Sequence, residues 1–136
     1  ILYDSARNFG CNKIALGHHR EDVLETFMMN LFFSGQLGSM PAHYQVQAED
    51  LQVIRPLFSV QEDWIVDFAQ AQGWPIIPCN LCGSQEHLKR LEMKELLNRL
   101  QQQHPKLKET AFRSLHNLKP KFLFDQKLWE TEIPKI

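Results

Sequence analysis

Apolar residues recur along the first third of the chain in two rhythms. Leu2, Ala6 and Phe9 fall at helical spacing and Gly10 follows where a helix C-terminus turns left-handed, so residues 1–9 read as the end of a helix. Lys13-Ile-Ala-Leu-Gly17 is a short apolar run closed by a glycine and a polar loop, the pattern of a buried parallel strand meeting a ligand-binding loop. From Glu21 to about Phe33 the stripe Val23, Leu24, Phe27, Met28, Leu31 and Phe32 returns to a period near 3.6 and predicts an amphipathic helix. Two Gly and a Pro in Ser34-Gly-Gln-Leu-Gly-Ser-Met-Pro41 then demand a loop.

Tyr44 and Val46 alternate with polar residues, Glu49-Asp50 offers a turn, and Leu51-Gln-Val-Ile-Arg-Pro56 returns as a second strand. Ser59-Val-Gln-Glu62 has the form of a capping box for a helix reaching about Gln72, with Trp64, Ile65 and Phe68 expected inward and Gly73 as its stop. Trp74-Pro-Ile-Ile-Pro78 is too rich in proline for a central strand. Ser84 is the expected N-cap of a long helix to about Gln103 with Leu88, Leu91, Leu97 and Leu100 inward, ended by Pro105, and a further helix is expected over residues 108–118. The remainder has no clear period. Strand and helix alternate, then helices follow alone, which argues for a piece of an α/β sheet with an α-helical extension.

At 136 residues the chain suits one compact domain, or a piece of one, and no apolar run approaches the roughly 20 residues that cross a bilayer. It opens on Ile1-Leu2-Tyr3-Asp4, with neither Met nor the pattern of a signal peptide, and a truncated protein beginning inside a helix is the expectation. Net charge is only −1, but up to Cys82 there are four basic against nine acidic residues, and after it eleven against seven. A basic final third is either a footprint for a phosphate backbone or an ordinary solvated helical surface.

Gly17-His18-His19-Arg20-Glu21-Asp22 lies between the buried strand and the amphipathic helix, where open α/β sheets hold their ligands. Gly17 permits close approach of a ligand, and the helix amides can face an anion. Glu21 and Asp22 would complement the helix dipole, hold a metal, or merely cap the helix. Three Cys do not make an extracellular disulfide framework; a reducing cytosol fits better. Cys11, behind a helix end, is expected to be a buried structural thiol. Cys79-Asn-Leu-Cys82-Gly83 is a CxxC just before a helix, which lowers a thiol's pKa and favours the metal-binding thiolate. One pair supplies two ligands, fewer than zinc or an iron–sulfur cluster needs.

Ile14-Ala-Leu-Gly-His-His-Arg-Glu-Asp-Val-Leu-Glu-Thr26, Ile54-Arg-Pro-Leu57 and above all Pro75-Ile-Ile-Pro-Cys-Asn-Leu-Cys-Gly-Ser-Gln85 resemble the tRNA 2-thiocytidine synthetases of the PP-loop ATPase superfamily, from residue 1 to about Leu118. The first string alone is shared across the superfamily; the cysteine string narrows it. The resemblance implies a Rossmann-like PP-loop sheet of the adenine nucleotide alpha-hydrolase type over residues 1–83, as the C-terminal portion of that domain, and a helical extension with a basic tail over 84–136. It implies a cytoplasmic enzyme that adenylates the 2-oxygen of cytidine 32 in tRNA with ATP and Mg²⁺ and replaces it with sulfur held at a [4Fe–4S] cluster. Asp22 and Glu21 would then be catalytic, Gly17 and His18 would bind nucleotide or substrate, and Cys82, or failing that Cys79, would ligate the cluster.

Lys89, Arg90, Lys94 and Arg99 would touch the tRNA backbone. A cysteine-desulfurase-type sulfur donor and a homodimer complete the expectation. Two departures matter: the chain contains no Ser-Gly-Gly-Lys-Asp-Ser phosphate loop and no second CxxC, which counts against activity by itself, and Glu21 stands where that string usually has Asp, which puts more weight on Asp22. Competing readings are a lysidine synthetase or uridine thiolase of the same superfamily, and a small zinc-binding interaction module built on Cys79, Cys82 and two His.

Overall fold

The computed structural model describes residues 1–46, 51–75 and 85–129. The expected turn at Glu49-Asp50, the Cys79 and Cys82 ligands and the Ser84 cap therefore lie outside the described residues. Helix α1 (Leu2–Asn8) ends at Gly10, whose φ of 65° is the left-handed conformation expected there. Strand β1 (Lys13–Ala15) follows, then helix α2 (Arg20–Met29), which runs on into a π-helical turn, Asn30–Ser34, before Gly35 at φ 64° breaks it. Strands β2 (His43–Gln45) and β3 (Gln52–Ile54) form the expected antiparallel pair. β3 also pairs in parallel with β1, with Ile14 opposite Val53, giving the order β1-β3-β2.

Ile14 and Val53, at the paired positions, are buried with Ala6 and Leu51, and Leu16, Tyr44 and Val46 pack against them. This is the α1-to-sheet core. Val23 and Leu24 on α2 and Met93 and Leu97 on α4 (Gln85–Gln103) are buried too, and these two helices pack on each other. α5 (Leu107–Ser114) also packs on α2, and a single 3-10 turn (Pro120–Phe122) and α6 (Gln126–Trp129) close the described chain.

Several expectations give way to tertiary structure. The face of α3 (Glu62–Ala71) that carries Trp64 and Phe68 is exposed, while Ile65, as expected, is half-buried with Val66 and Ala69; Phe68 meets Trp74 edge-on at 5.5 Å on that outer face. In α4 the buried stripe is Met93 and Leu97 with half-buried Leu100, so Leu88 and Leu91 fall on the exposed side. α5 stops at Ser114, four residues short of the expectation. The Ser59 capping box does not form: Val60 is engaged in a turn to Leu57 and its carbonyl accepts the Arg20 amide at 3.0 Å, so α3 starts two residues later, with Gln61 as its N-cap. Cys11, expected to be buried, is exposed beyond the end of α1, its thiol 3.9 Å from the Phe9 carbonyl oxygen.

Candidate functional site at the strand-to-helix loop

Because β1 and β3 are parallel, Gly17-His18 after β1 and Arg55 after β3 leave the sheet at the same edge. That is the edge at which parallel sheets gather their ligands. Space over Gly17 is open, since a Cβ there would meet no atom within 4 Å. Arg55 is held on several sides: its amide donates to the Ala42 carbonyl at 2.8 Å, Nη1 donates to the Pro41 carbonyl at 2.6 Å, and the guanidinium lies 5.6 Å from the centre of the Tyr44 ring. Tyr44 in turn shares a hydrogen bond of 3.0 Å with Tyr3 across from α1. Arg55 Nε donates to His18 Nδ1 at 3.3 Å. Burial pushes the His18 pKa down, and Arg55, Arg90 and His19 push the same way against the pull of Asp22.

The first turn of α2 brings together three helices. Asp22 Oδ2 accepts the His19 amide at 2.9 Å and so caps its own helix. Glu21, 4% exposed, does something the sequence does not announce. Its Oε1 takes Arg20 Nη2 at 2.6 Å and Nε at 3.1 Å, while Oε2 accepts the Glu62 amide at 2.8 Å. The carboxylate thus satisfies the first orphan amide of α3, the job that Ser59 leaves undone. Burial works to raise the Glu21 pKa, but the His19 ring, the Arg20 guanidinium and the Glu62 amide together hold it down to about 2.

Glu62, at the start of α3, accepts Lys94 Nζ from α4 at 2.7 Å. Arg90 Nη1, one turn earlier on α4, lies 3.6 Å from the buried Glu25 and 4.0 Å from Asp22. His19 stands among these acids, 3.3 Å from Asp22, 3.6 Å from Glu21 and 3.9 Å from Glu62, with Nδ1 buried and without a hydrogen bond among the described residues. Contact with the Glu21 carboxylate raises its pKa most, burial opposes this, and Asp22 and Glu62 add to the rise. Burial raises the Glu25 pKa as well, against Lys94 and Arg90.

Asp22, Glu21, Gly17 and His18 therefore come together in one place. Arg90 and Lys94 face the acids of α2 and α3, while Lys89 lies over the Phe33 ring at 4.8 Å and Arg99 is exposed. Among the described residues no three His, Cys, Asp or Glu side chains group as a metal site. Arg55 and Glu25 lie inside the strings that carry the resemblance, and Glu62 inside the expected capping box, yet the sequence reading gives none of them a place at the site. Only the position of Arg55 directly after a strand signals it; Glu25 and Glu62 become visible only when α3 and α4 dock on α2.

The chain is similar to three curated proteins named tRNA-cytidine(32) 2-sulfurtransferase: 49% identical to one from Bartonella tribocorum and 48% to one from Cytophaga hutchinsonii, each over 95% of this chain and 45% of the relative, and 44% to one from Francisella tularensis subsp. novicida over 96% and 49%. The chain thus spans about half the length of the curated relatives it matches. Among solved structures it resembles the U34-tRNA thiolase NcsA from Methanococcus maripaludis with its [4Fe-4S] cluster, at a TM-score of 0.61 and 22% identity over 85% of this chain and 39% of that one, a likeness of fold. Residues 1–82 match the PP-loop domain, a span that holds β1, the Gly17 loop, the first turn of α2 and Arg55, and the chain belongs to that family.

Proposed function

We propose that this chain is part of an ATP-dependent tRNA sulfurtransferase acting on cytidine 32. The observation that carries the reading is the 49% identity, extended over 95% of the chain, to a protein of that name. The site supports it chemically. The edge of the sheet offers an open approach above Gly17, a half-buried His18, and the amide end of α2, which suits an anion such as a nucleotide phosphate. ATP activates the base when its 2-oxygen attacks the α-phosphorus and pyrophosphate leaves; a sulfur nucleophile then takes that carbon and AMP departs with the oxygen.

In this scheme Gly17 and His18 bind the nucleotide, and Asp22, only part-buried, is the carboxylate within reach of the reacting groups. Glu21 acts one step back, fixing the start of α3. Mg²⁺ would accompany the ATP phosphates. A [4Fe–4S] cluster, which supplies an open iron to hold sulfur, would draw on Cys82 or Cys79, both outside the described residues. A cysteine-desulfurase-type protein would bring the sulfur to a cytoplasmic enzyme, and none of the described helices is long and apolar enough to cross a membrane. Lys89 and Arg99 remain the basic positions best placed to meet a tRNA backbone, and a homodimer would cover the exposed Leu31, Phe32 and Phe33 at the end of α2.

The test is the nucleoside content of tRNA. Deleting the gene that encodes this chain should abolish 2-thiocytidine in digested tRNA, and the intact gene should restore it while a Cys79→Ser/Cys82→Ser version should not. Unchanged 2-thiocytidine in the deletion strain overturns the reading, and loss of 2-thiouridine or lysidine instead reassigns the base.

A further inference from the structure

Arg55 has no task in the reaction above, yet it is among the most firmly held side chains at the site. A guanidinium Nε carries one hydrogen and no lone pair, so it can only donate. Its acceptor at 3.3 Å is His18 Nδ1, which must therefore carry a lone pair, and a neutral imidazole unprotonated at Nδ1 holds its proton on Nε2. An imidazolium would turn N–H against N–H. The guanidinium is held in place by the Pro41 carbonyl, which accepts Nη1, and by the Tyr44 ring beneath it.

We infer that Arg55 is a positioning residue that locks His18 in the neutral Nε2–H form, so that the ring presents one fixed hydrogen-bond donor to an oxygen of the bound nucleotide. The charged and titratable groups facing His18 are Asp22 from α2, His19 from its own loop, Arg55 from the end of β3 and Arg90 from α4. Asp22 alone favours a second proton on the ring; the other three and burial oppose it. With Nδ1 occupied by Arg55, Nε2 is the ring atom that would donate to a ligand. The lock stands on the chain's own geometry. The use of the donor rests on the nucleotide reading above.

Both halves are measurable on the full-length protein that carries this chain, with ¹⁵N-labelled histidine. Long-range ¹H–¹⁵N spectra, with His18 assigned by its disappearance in His18→Gln, should show Nδ1 unprotonated and Nε2 protonated from about pH 5 to 8, the range in which a free histidine would titrate. Arg55→Met, which keeps an apolar stem against Tyr44, should let the ring titrate at higher pH and sample both neutral forms. A proton on Nδ1 in the parent, which needs no variant to fold, or an Arg55→Met spectrum like the parent's, overturns the role of Arg55.

ATP titrations address the donor. His18→Asn keeps an acceptor for Arg55 but loses the distal N–H and should weaken ATP binding about tenfold, whereas His18→Gln, with an amide hydrogen near the Nε2 position, should recover most of that loss. Equal ATP affinity in both variants and the parent overturns the donor's use and the nucleotide placement, with the Arg55 lock judged separately by the spectra.

Discussion

Replacing Glu21 by Gln removes one charge while keeping the outline of the side chain, and its cost can be worked from the contacts. The carboxylate serves Arg20 through Oε1 and the first amide of α3 through Oε2, at 4% exposure. It is held at about 2 where a glutamate has an ordinary value of 4.5, burial notwithstanding, because the His19 ring, Arg20 and the Glu62 amide all favour the ionised form. At 1.36 kcal/mol per pH unit that difference is worth about 3 kcal/mol of stability. The folded-state pKa lies below the unfolded one. The contribution is therefore complete above pH 4.5 and is lost as the pH falls towards 2.

Gln at this position can still accept the Glu62 amide, but its own NH₂ opposes Arg20, a guanidinium only 9% exposed that then lacks a counter-charge. The expected loss at neutral pH is about 2–4 kcal/mol. Urea unfolding of the full-length protein at a series of pH values should show the parent losing stability between pH 4.5 and 2 more steeply than Glu21→Gln, so that the two curves converge in acid. Parallel curves, or a neutral-pH loss below about 1 kcal/mol, would refute the account of Glu21 as the buried counter-charge of Arg20.

Three other outcomes follow from the same structure. Leu24→Ala, at a residue 1% exposed between α2 and α4, should cost about 2–5 kcal/mol in chemical denaturation. Lys94→Met removes a partly exposed ion pair with Glu62 and should cost no more than about 1 kcal/mol, a difference that 1 M salt should shrink in thermal melts. Cys11 should react with a water-soluble thiol reagent in the folded protein at nearly the rate of a free thiol, and Cys11→Ser should leave tRNA thiolation intact where Cys79→Ser/Cys82→Ser removes it.

Local chemistry was enough to place most elements. Gly10 and Gly73 stop α1 and α3 as their left-handed conformations require, and the alternation around Tyr44 and Val53 becomes an antiparallel pair. What failed shares one cause: which face of a helix is buried depends on a partner the helix cannot name. Trp64, Phe68, Leu88 and Leu91 share helical spacing with Ile65 and Leu97, yet only the last two turn inward as expected, with Met93 beside Leu97 on α4. The same limit applies at the site. Gly17, His18, Glu21 and Asp22 stand together because they are neighbours in sequence. Arg55, Glu62, Arg90 and Lys94 join them only through strand pairing and helix docking, and the Ser59 cap fails because Glu21, 41 residues from the amide it accepts, takes its place.

The π turn at Asn30–Ser34 has a consequence for how this chain tolerates changes in length. A π turn holds one more residue per hydrogen-bonded ring than an α turn, and the loop behind it is pinned twice to the helix: Asn30 Nδ2 donates to the Gly38 carbonyl at 2.9 Å and Ser39 Oγ donates to the Val23 carbonyl at 2.6 Å. Removing a single residue from 30–34 would relax the turn to an ordinary helix and shorten by one residue the chain that reaches the two pins. Neither pin could then be reached, and Pro41, the carbonyl that steadies Arg55, would shift with them. Between α2 and β2 the chain works as a gauge block, cut to a whole number of residues and intolerant of one fewer.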